Sequence, residues 1–169
     1  MGTSIRVADN NDAAEVARFF SEVYEAEHGI GSSGALEMLE RTIAVLFPPD
    51  ENPLVLVHRV DDRIEGVAAC HPVDARARAE LITVQVYDTV QGRGAAQRLL
   101  AALVDQCRDA GATVLTTEVP LADGRARGFL RREGFFPANQ EVYPPSGPED
   151  FVVAYERPLI AQAPPPAGA

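Results

Sequence analysis

The sequence predicts an α/β fold in which helices cover both faces of a mixed, mostly antiparallel sheet. Strand-like runs neighbour one another across short polar breaks, as at Asp61-Asp62, and this favours antiparallel hairpins. A long helical run separates the strand-like runs 79–87 and 112–119, and this favours one parallel pair with a right-handed crossover. The predicted order is strand, two helices, three strands, helix, strand, helix, two strands.

The first half of the chain supplies a strand, two helices and a hairpin. Residues 4–8 alternate as a strand does, and the apolar residues after them recur at helical spacing. Asp12 and Glu15 have the spacing of a capping box, and the next helix ends at Pro48-Pro49 because proline cannot continue it. The elements are a strand at 4–8, helices at 12–27 and 36–47 around a glycine-serine loop at 28–35, and strands at 53–60 and 63–73.

The second half alternates strands and helices and ends in a tail. Its long helix carries leucines at helical spacing and ends near Gly111. The closing sequence APPPAGA cannot form a packed core. The elements are strands at 79–87 and 112–119, helices at 93–110 and 124–133, and strands at 135–142 and 150–157. We expect a single domain over 1–160 and a disordered Pro/Ala tail over 161–169.

Composition and charge exclude several classes of protein. The net charge of −10 argues against a protein that coats nucleic acid, which would carry a basic stripe. All 15 basic residues are arginine, so lysine chemistry is excluded and an anion must be held by arginine or main-chain amides. Cys70 and Cys107 each lie in an apolar run and are expected to be buried free thiols. We expect a soluble cytoplasmic protein with no membrane partner.

A glycine pair stands between a strand-like and a helix-like run, in VQGRGAAQRLL at 90–100. Glycine weakens both kinds of element, so Gly92 and Gly94 indicate unusual backbone angles or a close approach to the main chain. The amides at a helix start attract anions, and Arg93 adds positive charge. The turn is therefore either a phosphate cradle or a tight connection without a ligand. A Walker loop needs lysine, and the dinucleotide fingerprint needs glycine where Gln97 stands.

The residues Gln91-Gly92-Arg93-Gly94-Ala95-Ala96 resemble the Gln/Arg-x-x-Gly-x-Gly/Ala signature of the GNAT family of N-acetyltransferases. The strand ELITVQV and the spacing of Asp123, Ala126, Phe129, Gly134 and Phe135 are similar to further segments of that family, and the resemblance covers about 4–157. It implies a V-shaped splay between the fourth and fifth strands and acetyl-CoA as co-substrate, without a metal. The implied cofactor-binding residues are Val84, Val86, Gln91, Gly92, Arg93, Gly94, Ala95, Ala96, Asp123 and Phe129.

Acetyl transfer to an amine needs a base that removes the proton of the acceptor ammonium. Glu80 is the candidate, because similarly placed glutamates act as the base in one branch of the family. Glu118 and His71 are rivals, whereas Cys70 and His71 point to opposite faces of their strand. The oxyanion would meet a main-chain amide near Val86. The family's tyrosine acid is replaced by Leu130, with Tyr87 and Tyr143 as possible substitutes.

The expected acceptor is a small-molecule primary amine, and the chain is a possible homodimer. Acidic residues of the first two helices either draw the amine to the cleft or form a solvated outer face. These residues are Glu22, Glu25, Glu27, Glu37 and Glu40. An alternative from another class is a catalytically silent acyl-CoA sensor or partner-binding module on the same fold, which Leu130 favours.

Overall fold

The computed structural model describes residues 2–29, 31–87, 94–138 and 152–160. Its contacts group the chain into two compact units. The first comprises Met1–Pro72 and Glu80–Gln106, and the second comprises Val73–Ala79 and Cys107–Ala169. The division therefore passes through one strand and one helix.

The first unit is an antiparallel sheet with helices. Strand β1 pairs with β2, β2 with β3, and β3 with β4, each time antiparallel. Helix α1 follows a 3₁₀ turn at Asn10–Asp12. The elements are β1 (Thr3–Val7), α1 (Ala13–His28), α2 (Ser32–Leu46), β2 (Leu54–Val60), β3 (Arg63–Cys70), β4 (Arg78–Val86, from Glu80 onward) and α3 (Ala95–Asp109, as far as Gln106).

The two faces of β3 pack against different helices. Val67 and Ala69 join the buried cluster that contains Val16 and Phe19 of α1. Gly66 lies on the other face, because a Cβ there would come within 2.8 Å of Leu99 on α3. Successive strand residues point to opposite faces, so from Gly66 onward the odd-numbered residues of β3 face α1 and the even-numbered residues face α3.

Strand β4 carries a bulge opposite the end of β3. Ala69 pairs with Thr83, but Cys70 pairs with Leu81, so Ile82 is an extra residue on β4. A bulge bends its strand and re-aims the side chains next to it. The bulge lies two residues after Glu80, the predicted base.

The second unit contains β5 (Val114–Pro120), α4 (Gly124–Arg132), β6 (Phe136–Pro137) and β7 (Val152–Pro158). Strand β7 pairs antiparallel with both β5 and β6. The first residues of β4 run parallel to β5, since the Thr113 amide donates to the Ala77 carbonyl at 2.7 Å and Thr116 Oγ1 donates to that of Ala79 at 3.3 Å. The buried side chains of the second unit include Leu115, Leu130, Phe135, Tyr155 and Leu159.

The predicted fold class and element order are confirmed, with two local corrections. The capping box is formed by Asp9 and Asp12 instead of Asp12 and Glu15, because Asp12 Oδ2 accepts from the Asp9 amide at 2.9 Å. Helix α2 begins at Ser32, inside the predicted loop 28–35. Its first turn is held by α1, since Ser21 Oγ donates to the Ala35 carbonyl at 3.3 Å, and such packing overrides weak helix propensity.

Other predicted features remain outside what the structure describes. The strand expected at 135–142 is described only as far as residue 138, and the tail at 161–169 lies outside the described residues. Within the described ranges, none of the helices combines the length and apolar character that crossing a membrane requires.

Candidate active site

The edge of β4 that faces away from β3 presents main-chain groups of two predicted site residues. The Tyr87 amide donates to the Glu65 carbonyl of β3 at 3.0 Å. Hydrogen-bonded pairs alternate along an antiparallel ladder, so the amides and carbonyls of Val84 and Val86 point to the opposite edge. The Val86 carbonyl accepts a hydrogen bond from Nε2 of Gln85 at 3.2 Å. An extended amide-containing ligand could add to this edge as a further strand does.

Helix α3 begins directly after a glycine in the left-handed region. Gly94 has a φ of +73°, and the Arg98 amide donates to the Gly94 carbonyl at 3.0 Å. The first helical amides, at Ala95 and Ala96, precede any carbonyl that the helix could offer them. The unusual backbone angle predicted for this turn is thus confirmed at Gly94, whereas Gln91, Gly92 and Arg93 lie outside the described residues.

Glu80 and His71, which the sequence presented as rival bases, are neighbours across β4 and β3. The His71 amide donates to the Glu80 carbonyl at 2.8 Å, which continues the register of Cys70 with Leu81. Residues directly opposite in an antiparallel pair share a face, so both side chains lie on the α1 face of the sheet. Glu80 is exposed, and His71 Nδ1 is 4.0 Å from Oε2 of Glu51.

The remaining site predictions fall in the second unit. Glu118 is exposed between the buried side chains of Thr117 and Val119. Asp123 caps α4, because its Oδ1 accepts from the Ala126 amide at 2.9 Å. Phe129 is partly buried on that helix, and Leu130 is fully packed at 4 % exposure. A leucine side chain has no proton to donate to a thiolate.

A cleft between α1 and the ends of β3 and β4 was not predicted from the sequence. It measures about 300 Å³ and is lined by Glu15, Arg18, Phe19, Glu22, Arg63, Ile64 and Tyr87. A second cleft of about 350 Å³ shares Arg63 and Tyr87 and adds Glu27 and Glu65. Of the five glutamates considered for the acceptor, Glu22 and Glu27 border these clefts.

The polar groups of this cleft are bound to one another. The Tyr87 hydroxyl donates to the Glu22 carboxylate, and Arg63 Nη2 lies 3.0 Å from Glu22 Oε2. Burial raises the pKa of Tyr87, and the hydrogen bond to Glu22 raises it further. Tyr87 therefore keeps its proton and shares it with Glu22 in a hydrogen bond. Glu22, Arg63 and Tyr87 are far apart in the sequence and meet only in the folded protein. No local sequence motif therefore revealed the cluster.

His58 is a second feature absent from the predictions. Its side chain is only 2 % exposed, and neither ring nitrogen has a hydrogen-bond partner among the described residues. Burial lowers the pKa of His58, and the positive charge of Arg98 lowers it further. No group of three His, Cys, Asp or Glu side chains in the described part of the chain could hold a metal ion.

Comparison with known proteins assigns the chain to a family. The sequence profile described as the Acetyltransferase (GNAT) family matches residues 13–135. The chain belongs to the GNAT acetyltransferases. This GNAT protein is 26% identical over 136 residues to an IAA acetyltransferase of Azospirillum brasilense, covering 73% of the chain and 88% of that protein.

Solved structures show the same fold. A protein assigned to the GNAT family from Desulfovibrio desulfuricans superposes with a TM-score of 0.75 at 21% identity, covering 94% of this chain and 100% of the other. The PaiA N-acetyltransferase of Thermoplasma acidophilum, solved in complex with coenzyme A, gives 0.69 at 14% identity, covering 94% and 99%. The predicted family and fold class are thereby confirmed.

Proposed function

We propose that this GNAT protein transfers the acetyl group of acetyl-CoA to a primary amine by direct attack, with Glu80 as general base. Two observations carry the proposal: the main-chain groups on the edge of β4 that faces away from β3, and the helix start at Gly94. Val84 and Val86 offer amides and carbonyls along that edge, and Gly94 opens the helix that follows. An amide-bearing pantetheine arm suits the edge, and a pyrophosphate suits the helix start.

Distances along β4 from Glu80 support a position for the acetyl group. In an extended strand, Glu80 lies about 13 Å from Val84 and about 20 Å from Val86. Glu80 therefore serves an acetyl group held near Ile82 and Val84, through a water if needed, better than one held at Val86. The Val84 amide is then the main-chain donor for the developing oxyanion, a role whose loss costs about 3–4 kcal/mol in other enzymes.

The cofactor is tested first, by calorimetric titration of acetyl-CoA into the wild type, Gly94→Ile and Gly111→Ile. Both glycines have a positive φ and flank the same helix, Gly94 at +73° and Gly111 at +91°. The two variants therefore carry similar backbone strain at opposite ends of α3. We expect Gly94→Ile to lose about tenfold in affinity, or about 1.4 kcal/mol, and Gly111→Ile to lose none. Equal affinities for all three proteins would contradict the phosphate cradle.

Turnover is tested with a panel of amines: a polyamine, an aminoglycoside, an arylamine, a free amino acid and a peptide with a free N-terminus. A thiol reagent reports CoA release, and Cys70 and Cys107 give little background because both are buried. Acetylation of one of these amines supports the enzyme. Tight binding of acetyl-CoA without turnover of the panel supports the alternative acyl-CoA sensor, which the loss of a tyrosine at Leu130 favours.

A further inference from the structure

His71 lies next to Glu80 on one face of the sheet and contacts a second carboxylate, that of Glu51. Its main chain is hydrogen-bonded to Glu80 at 2.8 Å, and directly opposite residues of this kind have Cβ atoms about 4.5–5.5 Å apart. The Nδ1 atom of His71 is 4.0 Å from Oε2 of Glu51. At this Cβ spacing, rotation of the Glu80 side chain brings its carboxylate within reach of the imidazole, and the Glu51 carboxylate can stabilise the imidazole as a cation.

Glu80, His71 and Glu51 follow one another from the outer edge of β4, where the reaction is proposed to occur, towards solvent. Acetyl-CoA is proposed to lie along the outer edge of β4, and His71 lies on the opposite side of β4, one strand spacing of about 4.8 Å further away. The His71 side chain is 43% exposed and that of Glu51 is 62% exposed. Bound substrates that cover Glu80 thus leave His71 and Glu51 open to water.

We propose that His71 relays the acceptor's proton from Glu80 to solvent, an inference that rests on the proposed acetyl transfer. Glu80 takes one proton from the acceptor ammonium, which frees the nitrogen lone pair to form the new C–N bond. When the C–S bond breaks, a second proton leaves that nitrogen and protonates the CoA thiolate. The Glu80 carboxylic acid passes its proton to the neutral imidazole of His71, which releases it to water. Each turnover then converts one ammonium and one acetyl-CoA into an amide, CoA thiol and one released proton.

The relay explains why the neighbouring thiol is not used. Cys70 is 2 % exposed and lies on the α3 face of β3, whereas His71 lies on the α1 face with Glu80. The side chain next to the base is thus the imidazole, which has one ring nitrogen that can accept a proton and one that can donate.

The test is chemical rescue of His71→Ala by free imidazole, with His28→Ala as the matched control. His28 is an exposed histidine at the end of α1, where its Nδ1 contacts the Tyr24 carbonyl at 3.1 Å. The assay uses acetyl-CoA and the amine of the panel that is acetylated fastest. We expect His71→Ala to lower kcat roughly tenfold, less than the 10²–10⁴-fold typical of a direct base, with KM for acetyl-CoA unchanged. Added imidazole should restore most of that loss, in proportion to its neutral fraction.

Further variants separate a relay from a structural role. Glu51→Gln should lower kcat less than His71→Ala, because it removes only the charge that stabilises the imidazolium. A His71→Ala protein with wild-type kcat, or with a reduced kcat that imidazole does not restore, would overturn the relay and leave the acetyl transfer standing. A wild type that binds acetyl-CoA but acetylates no amine would overturn the proposed activity and the relay together.

Discussion

The hydroxyl of Tyr87 donates a hydrogen bond to the carboxylate of Glu22, and this bond joins the end of β4 to the middle of α1. Arg63 completes the cluster, with its guanidinium carbon 5.1 Å from the centre of the Tyr87 ring. The ring of Phe19 meets that of Tyr87 edge-on at 4.8 Å. The residue immediately after β4 is thereby fixed against the helix, next to the segment that is proposed to hold pyrophosphate.

Tyr87→Phe should destabilise the protein by about 1–2 kcal/mol. A hydrogen bond to a charged group contributes about 1.5–3 kcal/mol when buried, and this one is half-buried. The measurement is urea unfolding at pH 7.5. Tyr24→Phe is the control, since Tyr24 stacks on His28 with ring centres 4.3 Å apart and keeps that contact without its hydroxyl. Equal losses for the two variants would show that the bond to Glu22 adds nothing.

His58 should make the stability of the protein fall as the pH falls. Burial lowers its pKa in the folded state, whereas an unfolded histidine titrates near 6.5. About one pH unit above 6.5 and higher, both states are neutral at this residue, and it contributes almost no pH dependence. Below that value the unfolded state binds a proton that the folded state refuses, so stability decreases.

The measurement is the difference in unfolding free energy between pH 7.5 and pH 5.5. His58 contributes at most about 1.4 kcal/mol to the loss at pH 5.5, and His58→Leu should remove that part. Leucine also removes two nitrogens that lack partners among the described residues, so we expect little loss of stability at pH 7.5. His28→Gln, an exposed change on α1, is the comparison variant. An unchanged pH dependence in His58→Leu would contradict the assignment.

The sequence predicted features that depend on neighbouring residues and missed those that depend on register. The positive φ of Gly94 could be predicted, because a glycine between a strand and a helix usually marks a backbone conformation that other residues avoid. The extra residue Ile82 has no sequence signature, since a bulge is defined by the strand opposite it. The pairing of His71 with Glu80 follows from that register, which explains why the sequence presented them as alternatives.

Long-range contacts also explain the errors in the helices. Ser32 and Gly34 favour a loop by propensity, yet α2 already includes them because α1 packs against its first turn. Glu15 was assigned to a cap, but Arg59 of β2 holds it instead at 2.8 Å. Both contacts join residues far apart in the chain, which local patterns do not encode.

Glu80→Gln should lower kcat without weakening the binding of acetyl-CoA. Glutamine keeps the size and position of the side chain but cannot accept the ammonium proton, so we expect a fall of about 10²–10⁴-fold. The calorimetric affinity for acetyl-CoA should stay within about twofold, because the main-chain edge of β4 is unaltered. Glu118→Gln is the comparison, since Glu118 is the exposed carboxylate of β5. A large loss in Glu118→Gln with normal turnover in Glu80→Gln would move the base to Glu118.

Gly66→Ala should weaken both the fold and acetyl-CoA binding, because Gly66 lies where β4 and α3 approach β3. An added Cβ would come within 2.8 Å of Leu99 Cδ1 and 2.9 Å of Val86 Cγ1. It would also lie 3.2 Å from the carbonyl oxygen of Gln85, and this main-chain atom can move only if β4 moves. Overpacking of this kind costs about 1–3 kcal/mol.

The same shift would displace Val86 and the first turns of α3, on which the proposed acetyl-CoA site depends. We therefore expect the affinity of Gly66→Ala for acetyl-CoA to fall severalfold at a temperature where the variant is fully folded. Gly128→Ala is the control, because a Cβ there meets only the flexible end of Arg132 at 3.4 Å, and alanine favours the helix by about 1 kcal/mol. Urea unfolding measures the first effect and calorimetry the second. A Gly66→Ala protein that is destabilised but binds acetyl-CoA normally would show that the packing beneath β4 supports the fold alone.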